Sequence, residues 1–132
     1  MGHMMLIDTS AWVEFLRRSG DPGVKARVAS FLDAGVASVC GPVEFELLAG
    51  ARPSEMVDVQ TAISLCEQVD FSSSCWRRAA AVERDLRGLG VTVPRDDVFV
   101  ASVALEYDMP IYACDAHFEL IQGKGRQQLR LA

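Results

Sequence analysis

The stretch that decides the fold is D-V-F-V-A-S-V-A-L-E-Y-D-M-P-I-Y-A-C-D, residues 97–115. It predicts a helix followed by a buried strand, with an aspartate at each end. Asp97 lies on the opening turn of the helix, and Asp115 follows the strand at residues 110–114. The strand arrangement recurs near the other end of the chain, where Asp8 follows the apolar run Met5-Leu6-Ile7. Ligands bind beyond the carboxyl ends of strands in open parallel sheets, so we expect Asp8 and Asp115 to share one edge. Asp97 reaches that edge only if a loop carries the start of its helix back to it.

Strands and helices are predicted to alternate along the rest of the chain. The predicted strands cover residues 5–7, 36–40, 69–71, 110–114 and 128–131. The predicted helices end near residues 18, 34, 51, 67, 89, 107 and 121. Apolar runs without polar alternation, such as the first strand, are typical of strands buried on both faces. The alternation therefore predicts an α/β fold with a parallel sheet covered by helices on both faces.

The bulk properties describe one small domain. The chain has 132 residues, half of them apolar, which supports a single core and no second domain. We interpret residues 1–4 as a cloning remnant and start, and residues 5–132 as the domain. No apolar run approaches the ~20 residues of a membrane span, and no secretory signal precedes the first strand. The expected location is the cytoplasm.

The cysteines and the net charge exclude some chemistry. The four cysteines (Cys40, Cys66, Cys75 and Cys114) show no C-x-x-C spacing, so they are predicted to be small buried residues rather than zinc ligands or a redox pair. The formal net charge is −5, whereas a protein that binds nucleic acid usually carries a basic surface. The two agree only if several of the acids belong to a functional site and not to the nucleic-acid-binding surface.

Each aspartate also has a purely structural interpretation. Asp8 and Asp97 could be helix N-caps, with Asp96 as a competitor for the second cap, and Asp115 could begin a turn. The third helix adds a stronger signal, because Glu46 has Pro42, Val43, Ala49 and Gly50 as helical neighbours. A carboxylate on such a small, apolar face is costly to bury without a partner. The alternative is that the Glu46 side chain extends into solvent and has no functional role.

Four ordered segments resemble the PIN-domain ribonucleases, in particular the VapC-type toxins of bacterial and archaeal toxin–antitoxin pairs. The segments are L-I-D-T-S-A-W at residues 6–12, E-L-L-A-G at 46–50, D-V-F-V-A-S-V-A-L-E-Y at 97–107 and A-C-D-A-H-F at 113–118. They span almost the whole chain, and their ordered combination is more specific than any one of them. The resemblance implies a three-layer α/β/α sandwich, a divalent metal (Mg²⁺, with Mn²⁺ as a substitute) and endonucleolytic cleavage of RNA. It also implies a homodimer and an antitoxin partner.

The same resemblance assigns residues to the site. It implies catalytic and metal-binding acids at Asp8, Glu46, Asp97 and Asp115, with Glu46 favoured over Glu44 by the glycine four residues later. Thr9, Ser10 and Asp96 are possible accessory residues, since the family often has a hydroxyl group at one of the first two positions. His117 receives no catalytic role, because related sequences vary there. Cys114 stands where a Thr or Arg is common.

Other readings of an acidic site on a parallel sheet fit less well. A receiver-type domain needs an acidic pair after the first strand, but the sequence there is Asp8-Thr9-Ser10. A haloacid-dehalogenase-like phosphatase needs a second aspartate where Ser10 stands. Two alternative functions are compatible with the same fold. The chain could be a housekeeping RNA-processing nuclease, or a domain that binds a partner without cleaving RNA.

Large apolar residues on two helices give the last expectation. Trp12, Phe15 and Leu16 on the first helix, with Leu47 and Leu48 on the third, could form a groove for an amphipathic antitoxin segment. The alternative is that they complete the core.

Overall fold

The computed structural model describes residues 4–125 and 128–132. Its centre is a parallel sheet of four short strands in the order β3-β2-β1-β4. The strands are β1 Met5–Ile7, β2 Ala37–Cys40, β3 Glu67–Val69 and β4 Ile111–Tyr112. Leu6 pairs with Ser38 on one side and with Ile111 on the other, so β1 is central and its carboxyl end lies in the middle of the sheet edge.

Seven helices in the described part of the chain flank this sheet: α1 Thr9–Leu16, α2 Pro22–Asp33, α3 Gly41–Gly50, α4 Met56–Ser64, α5 Ser73–Gly88, α6 Arg95–Glu106 and α7 His117–Lys124. Two of them begin at side-chain caps: the Asp21 side chain accepts a hydrogen bond from Val24 N at 2.9 Å at the start of α2, and the Ser72 side chain caps α5. Gly35 and Gly90, each with a positive φ, follow α2 and α5 and let the chain turn there. The predicted three-layer α/β/α fold is confirmed.

The core lies between the sheet and the helices. Leu6, Ile7 and Ile111 of the sheet are fully buried, and Val100 of α6 and Phe118 of α7 pack into the same cluster. Each buried side chain of this kind contributes about 1.5–3 kcal/mol. This burial fixes the strand ends, and therefore the residues that follow them. No helix of the described residues is both long and apolar enough to cross a bilayer.

Three predicted features are wrong in detail, and a fourth lies outside the described residues. The strand expected at residues 69–71 is Glu67–Val69, an edge strand in which only Val69 is buried and which therefore lacks a strong apolar pattern. The helix expected to end near residue 67 is divided into a 3-10 turn, Pro53–Glu55, and α4, which ends at Ser64. The last strand, expected at residues 128–131, is a single bridge between Ile111 and Leu131. Residues 1–3 of the expected remnant lie outside the described residues.

Two predictions of burial are also corrected. Cys40 and Cys75 are buried and Cys66 is partly buried, but Cys114 is exposed because β4 ends two residues before it. Burial raises the pKa of the Cys40 thiol to about 12, so this side chain is neutral. Of the apolar residues expected in a groove, Trp12 and Leu47 are buried in the core, so the groove cannot use them as exposed anchors.

Candidate active site

Asp8 is both a helix cap and a buried acid. It directly follows β1, is only 3% exposed, and its Oδ2 accepts hydrogen bonds from Ser10 N at 3.0 Å and Ser10 Oγ at 2.6 Å. Burial raises the pKa of Asp8, the Ser10 hydrogen bonds oppose this, and the charge of Asp115 raises it further. Asp8 therefore caps α1, as expected for an aspartate at this position, and the cap holds its carboxylate near that of Asp115.

Ser10 ties this acid to the opposite side of the site. Its Oγ, besides donating to Asp8, accepts a hydrogen bond from Cys114 N at 2.9 Å. The backbone of Asp8 also donates to Tyr112 O at 2.9 Å. The end of β1, the start of α1 and the loop after β4 are thus one connected unit.

Asp97 is the acid whose pKa departs most clearly from the ordinary value. It lies in the first turn of α6, is 8% exposed, and has a pKa raised from 3.8 to about 6. Burial is the largest cause, the charges of Asp115 and Asp8 add to it, and His117 opposes it. The loop before α6 therefore brings Asp97 to the same edge as the other two aspartates.

Asp115 and His117 lie together at the start of α7. Asp115 Oδ1 accepts a hydrogen bond from His117 N at 3.0 Å. His117 Nδ1 lies 2.7 Å from Asp97 Oδ2 and 3.6 Å from Asp115 Oδ1. One donor atom from each of Asp97, Asp115 and His117 lies within 4.8 Å of the others. The structure thus adds a residue to which the sequence assigned no role, and its only signal was its position two residues after Asp115.

Glu46 approaches from α3. Its Oε1 accepts a hydrogen bond from Thr9 Oγ1 at 2.9 Å, which joins α3 to α1. Burial raises the pKa of Glu46, the Thr9 hydrogen bond opposes this, and the nearby Asp96 and Asp8 raise it. Glu44 lies two residues earlier on the same helix and so faces a different direction. Of the two glutamates, Glu46 is the one that lies near enough to Asp8 for the charge of Asp8 to raise its pKa.

The four predicted acids are therefore assembled at the carboxyl edge of the sheet, with Thr9 and Ser10 holding two of them. Carboxylate oxygens are the ligands that Mg²⁺ and Mn²⁺ prefer. Burial and neighbouring acids raise the pKa values of Asp8, Asp97 and Glu46, and a cation among the carboxylates would offset both costs. The residues present fit a divalent metal centre.

Comparisons with known proteins point in the same direction. A family model described as the PIN domain matches residues 5–124. The chain is 32% identical to ribonuclease VapC11 of Mycobacterium tuberculosis over 127 residues, covering 89% of this chain and 91% of that protein. The same values hold for VapC ribonuclease Mb1587 of Mycobacterium bovis.

Solved structures share the fold. The DNA-bound VapBC of Salmonella typhimurium matches with a TM-score of 0.82 at 17% identity, covering 99% of this chain and 98% of that one. VapBC2 of Rickettsia felis, bound to a fragment of its promoter, matches with a TM-score of 0.76 at 17% identity and covers 98% and 97% of the two chains. At such identity the likeness extends to the fold alone.

Proposed function

Because the chain belongs to the PIN-domain family, we propose that it is a metal-dependent endoribonuclease and the toxin of a toxin–antitoxin pair. The observation that carries this proposal is the meeting of Asp8, Glu46, Asp97 and Asp115 at one sheet edge, where burial and mutual repulsion raise the pKa values of three of them. The similarity to VapC ribonucleases over most of the chain supports RNA as the substrate.

The aspartates would hold the cation, with Asp8, Asp97 and Asp115 as its ligands. When bound, Mg²⁺ or Mn²⁺ would supply an activated water and charge stabilisation at the phosphate. Glu46 would complete the metal environment or orient the attacking water. Ser10 keeps the Asp8 carboxylate in place through two hydrogen bonds. Thr9 does the same for Glu46 through one.

RNA cleavage by purified protein tests this assignment. We expect Mg²⁺-dependent cleavage that EDTA abolishes and Asp97→Asn reduces by at least about a hundredfold, as removal of a metal ligand should. Asp33→Asn, an exposed aspartate at the end of α2, is the matched control and should cleave normally. Sequencing the 5′ and 3′ ends of the fragments then identifies the cleavage site. Cleavage that persists in EDTA would contradict the metal-dependent mechanism.

A groove between α1, α3 and α4 is the proposed binding site of the antitoxin. It has a volume of about 290 Å³, and its apolar lining includes Val13 and Leu16. Glu46 lies at one side of it, so the groove is continuous with the acidic cluster. An amphipathic segment fits this surface if a basic residue of the segment pairs with the cluster. The apolar contacts are supplied by Val13 and Leu16 rather than by the buried Trp12.

We place the homodimer contact on an aromatic patch made by Phe45, Phe71, Trp76 and Phe99. Phe45 is 71% exposed and Trp76 is 58% exposed, and the rings of Phe71, Trp76 and Phe99 pack edge to face. Exposed apolar surface of this kind marks an interaction site. The patch borders Asp96, and the chain carries a net charge of −5, so a second copy fits it better than an RNA backbone.

The oligomeric state in solution tests this placement. We expect a dimer by analytical ultracentrifugation and a monomer for the Phe45→Ser, Trp76→Ser variant. Leu89→Ser, which removes an exposed apolar residue elsewhere, should stay dimeric. A monomeric wild type whose RNA affinity falls on substitution of Trp76 would instead identify the patch as a base-stacking surface.

A further inference from the structure

We propose that His117 is a nitrogen ligand of the cation held by Asp97 and Asp115, and that it shifts the preference of this centre from Mg²⁺ toward transition-metal dications. The proposal rests on the metal centre of the proposed function. It goes further because it assigns a ligand that is not a carboxylate and, with it, a metal selectivity.

The distances among the three side chains match those of neighbouring ligands. Ligands about 2.1 Å from one ion at adjacent octahedral positions lie about 3.0 Å apart. The two contacts of His117 Nδ1, 2.7 Å to Asp97 Oδ2 and 3.6 Å to Asp115 Oδ1, lie on either side of that value. A cation can therefore touch all three residues with small side-chain rotations.

The ring nitrogen itself is poorly satisfied by the protein. Nδ1 is buried and makes no regular hydrogen bond among the described residues, although it lies 2.7 Å from Asp97 Oδ2, where a protonated ring pairs with the carboxylate. A buried polar atom without a regular hydrogen bond is unfavourable. Coordination of a cation through the ring lone pair would provide the missing interaction.

The backbone holds the imidazole in position. His117 N donates to Asp115 Oδ1, which fixes the residue relative to the acid. The next residue, Phe118, and Ile121 one turn later are buried in the core, so the start of α7 cannot rotate freely. The imidazole is thus directed at the carboxylates by packed neighbours.

The chemistry of nitrogen ligands gives the selectivity. Mg²⁺ is a hard ion that prefers oxygen and gains little from an imidazole. Transition-metal dications accept imidazole with affinity that rises from Mn²⁺ through Co²⁺ to Ni²⁺. Loss of the ring should therefore weaken binding of Co²⁺ much more than binding of Mg²⁺.

Pulsed electron paramagnetic resonance of bound Mn²⁺ tests the ligand directly and needs no RNA. With one equivalent of Mn²⁺, the metal-free protein should show nitrogen modulation from a coordinated imidazole, and His117→Gln should lose it. The only other histidine of the chain is His3, so His3→Ala is the matched control and should keep the signal. Bound Mn²⁺ without nitrogen modulation in the wild type would overturn the proposal.

Calorimetric titration tests the selectivity. His117→Gln should lower Co²⁺ affinity by at least about tenfold and change Mg²⁺ affinity by less than about threefold. An equal loss for both ions, or none for either, would contradict the selectivity. His117 is 41% exposed, so the substitution should be tolerated, and the melting temperature of the metal-free variant checks this.

The results separate this proposal from the ribonuclease assignment. Mg²⁺-dependent RNA cleavage with no nitrogen signal would leave the ribonuclease in place and remove His117 as a ligand. A nitrogen signal without RNA cleavage would establish the ligand and contradict the substrate. Absence of any metal binding would overturn both.

Discussion

At the residue scale, the site consists of carboxylates that are costly to charge in the places where the fold holds them. Asp97 is the clearest case, since its pKa is raised to about 6 by burial and by two neighbouring acids. Asp8 and Glu46 shift in the same direction for the same main reason. In the metal-free protein the charged form of these carboxylates is therefore disfavoured by burial and by neighbouring acids. Binding of a proton or a cation reduces this cost.

The pH dependence of stability should reveal this repulsion. The folded pKa of Asp97, about 6, is above its unfolded value of 3.8, so the folded state binds more protons between these values. The stabilisation from this proton is complete below pH ~4 and is lost as the pH rises through ~6. In EDTA, the free energy of unfolding should therefore decrease over this interval, as urea titration can measure.

Asp97→Asn should flatten that decrease, because the amide does not titrate. It should also melt at least as high as the wild type in EDTA near neutral pH, while losing most of the gain that Mn²⁺ gives the wild type. The exposed Asp33→Asn should keep the wild-type profile. An Asp97→Asn profile as steep as that of the wild type would show that other acids cause the slope.

The two glutamates of α3 provide a matched pair for activity. Glu46→Gln should lower RNA cleavage strongly, because Glu46 contacts Thr9 and lies beside Asp96 and Asp8. Glu44→Gln, on the same helix but facing elsewhere, should cleave at close to the wild-type rate. Steady-state rates on one RNA substrate are the measurement. Loss in Glu44→Gln with full activity in Glu46→Gln would assign the catalytic role to Glu44 instead.

These residues also show how far the sequence predicts the site. Asp8 and Asp115 could be placed because they follow buried strands, whose carboxyl ends meet at one edge. The choice of Glu46 over Glu44 and of Asp97 over Asp96 needed the family pattern, because spacing alone leaves both open. The sequence could not identify His117 as part of the site. Its place there depends on the orientation of its ring toward Asp97, which no local sequence pattern encodes.

At the element scale, α1 organises the site because consecutive residues at its start cap the helix and reach two other parts of the chain. Asp8 caps the helix, Thr9 donates to Glu46 on α3, and Ser10 accepts from Cys114 in the loop after β4. The elements themselves were predictable where their apolar pattern is strong, as in β1 and α6. The edge strand β3 was misplaced because tertiary pairing with β2, rather than its own sequence, defines it.

Ser10→Ala should measure the strength of this junction. The substitution removes the hydroxyl group that donates to Asp8 and accepts from Cys114 N. We expect a loss of about 1–3 kcal/mol in the free energy of unfolding, the range for a buried polar group left without its partner. Ser73→Ala, at the exposed first position of α5, should change the stability by less than about 0.5 kcal/mol. Equal losses in both variants would show that Ser10 is an ordinary surface serine.

At the scale of the whole molecule, the acidic cluster, the groove beside it and the aromatic patch lie close to one another on the fold. Glu46 borders the groove and belongs to the cluster, while Asp96 borders the patch and raises the pKa of Glu46. Binding of an antitoxin segment in the groove would therefore act on the same carboxylates that bind the cation.

This arrangement predicts how the protein behaves in a growing cell. Expression of the wild-type chain alone in a bacterium should arrest growth, because free ribonuclease activity meets no inhibitor. Asp8→Asn should be tolerated at the same expression level, since it keeps the acceptor for Ser10 and removes the charge that binds the metal. Glu44→Gln should be as toxic as the wild type. Colony counts after induction, with immunoblots to equalise the protein level, are the measurement. Harmless accumulation of a wild-type protein that cleaves RNA after purification would contradict the toxin assignment and favour a housekeeping nuclease.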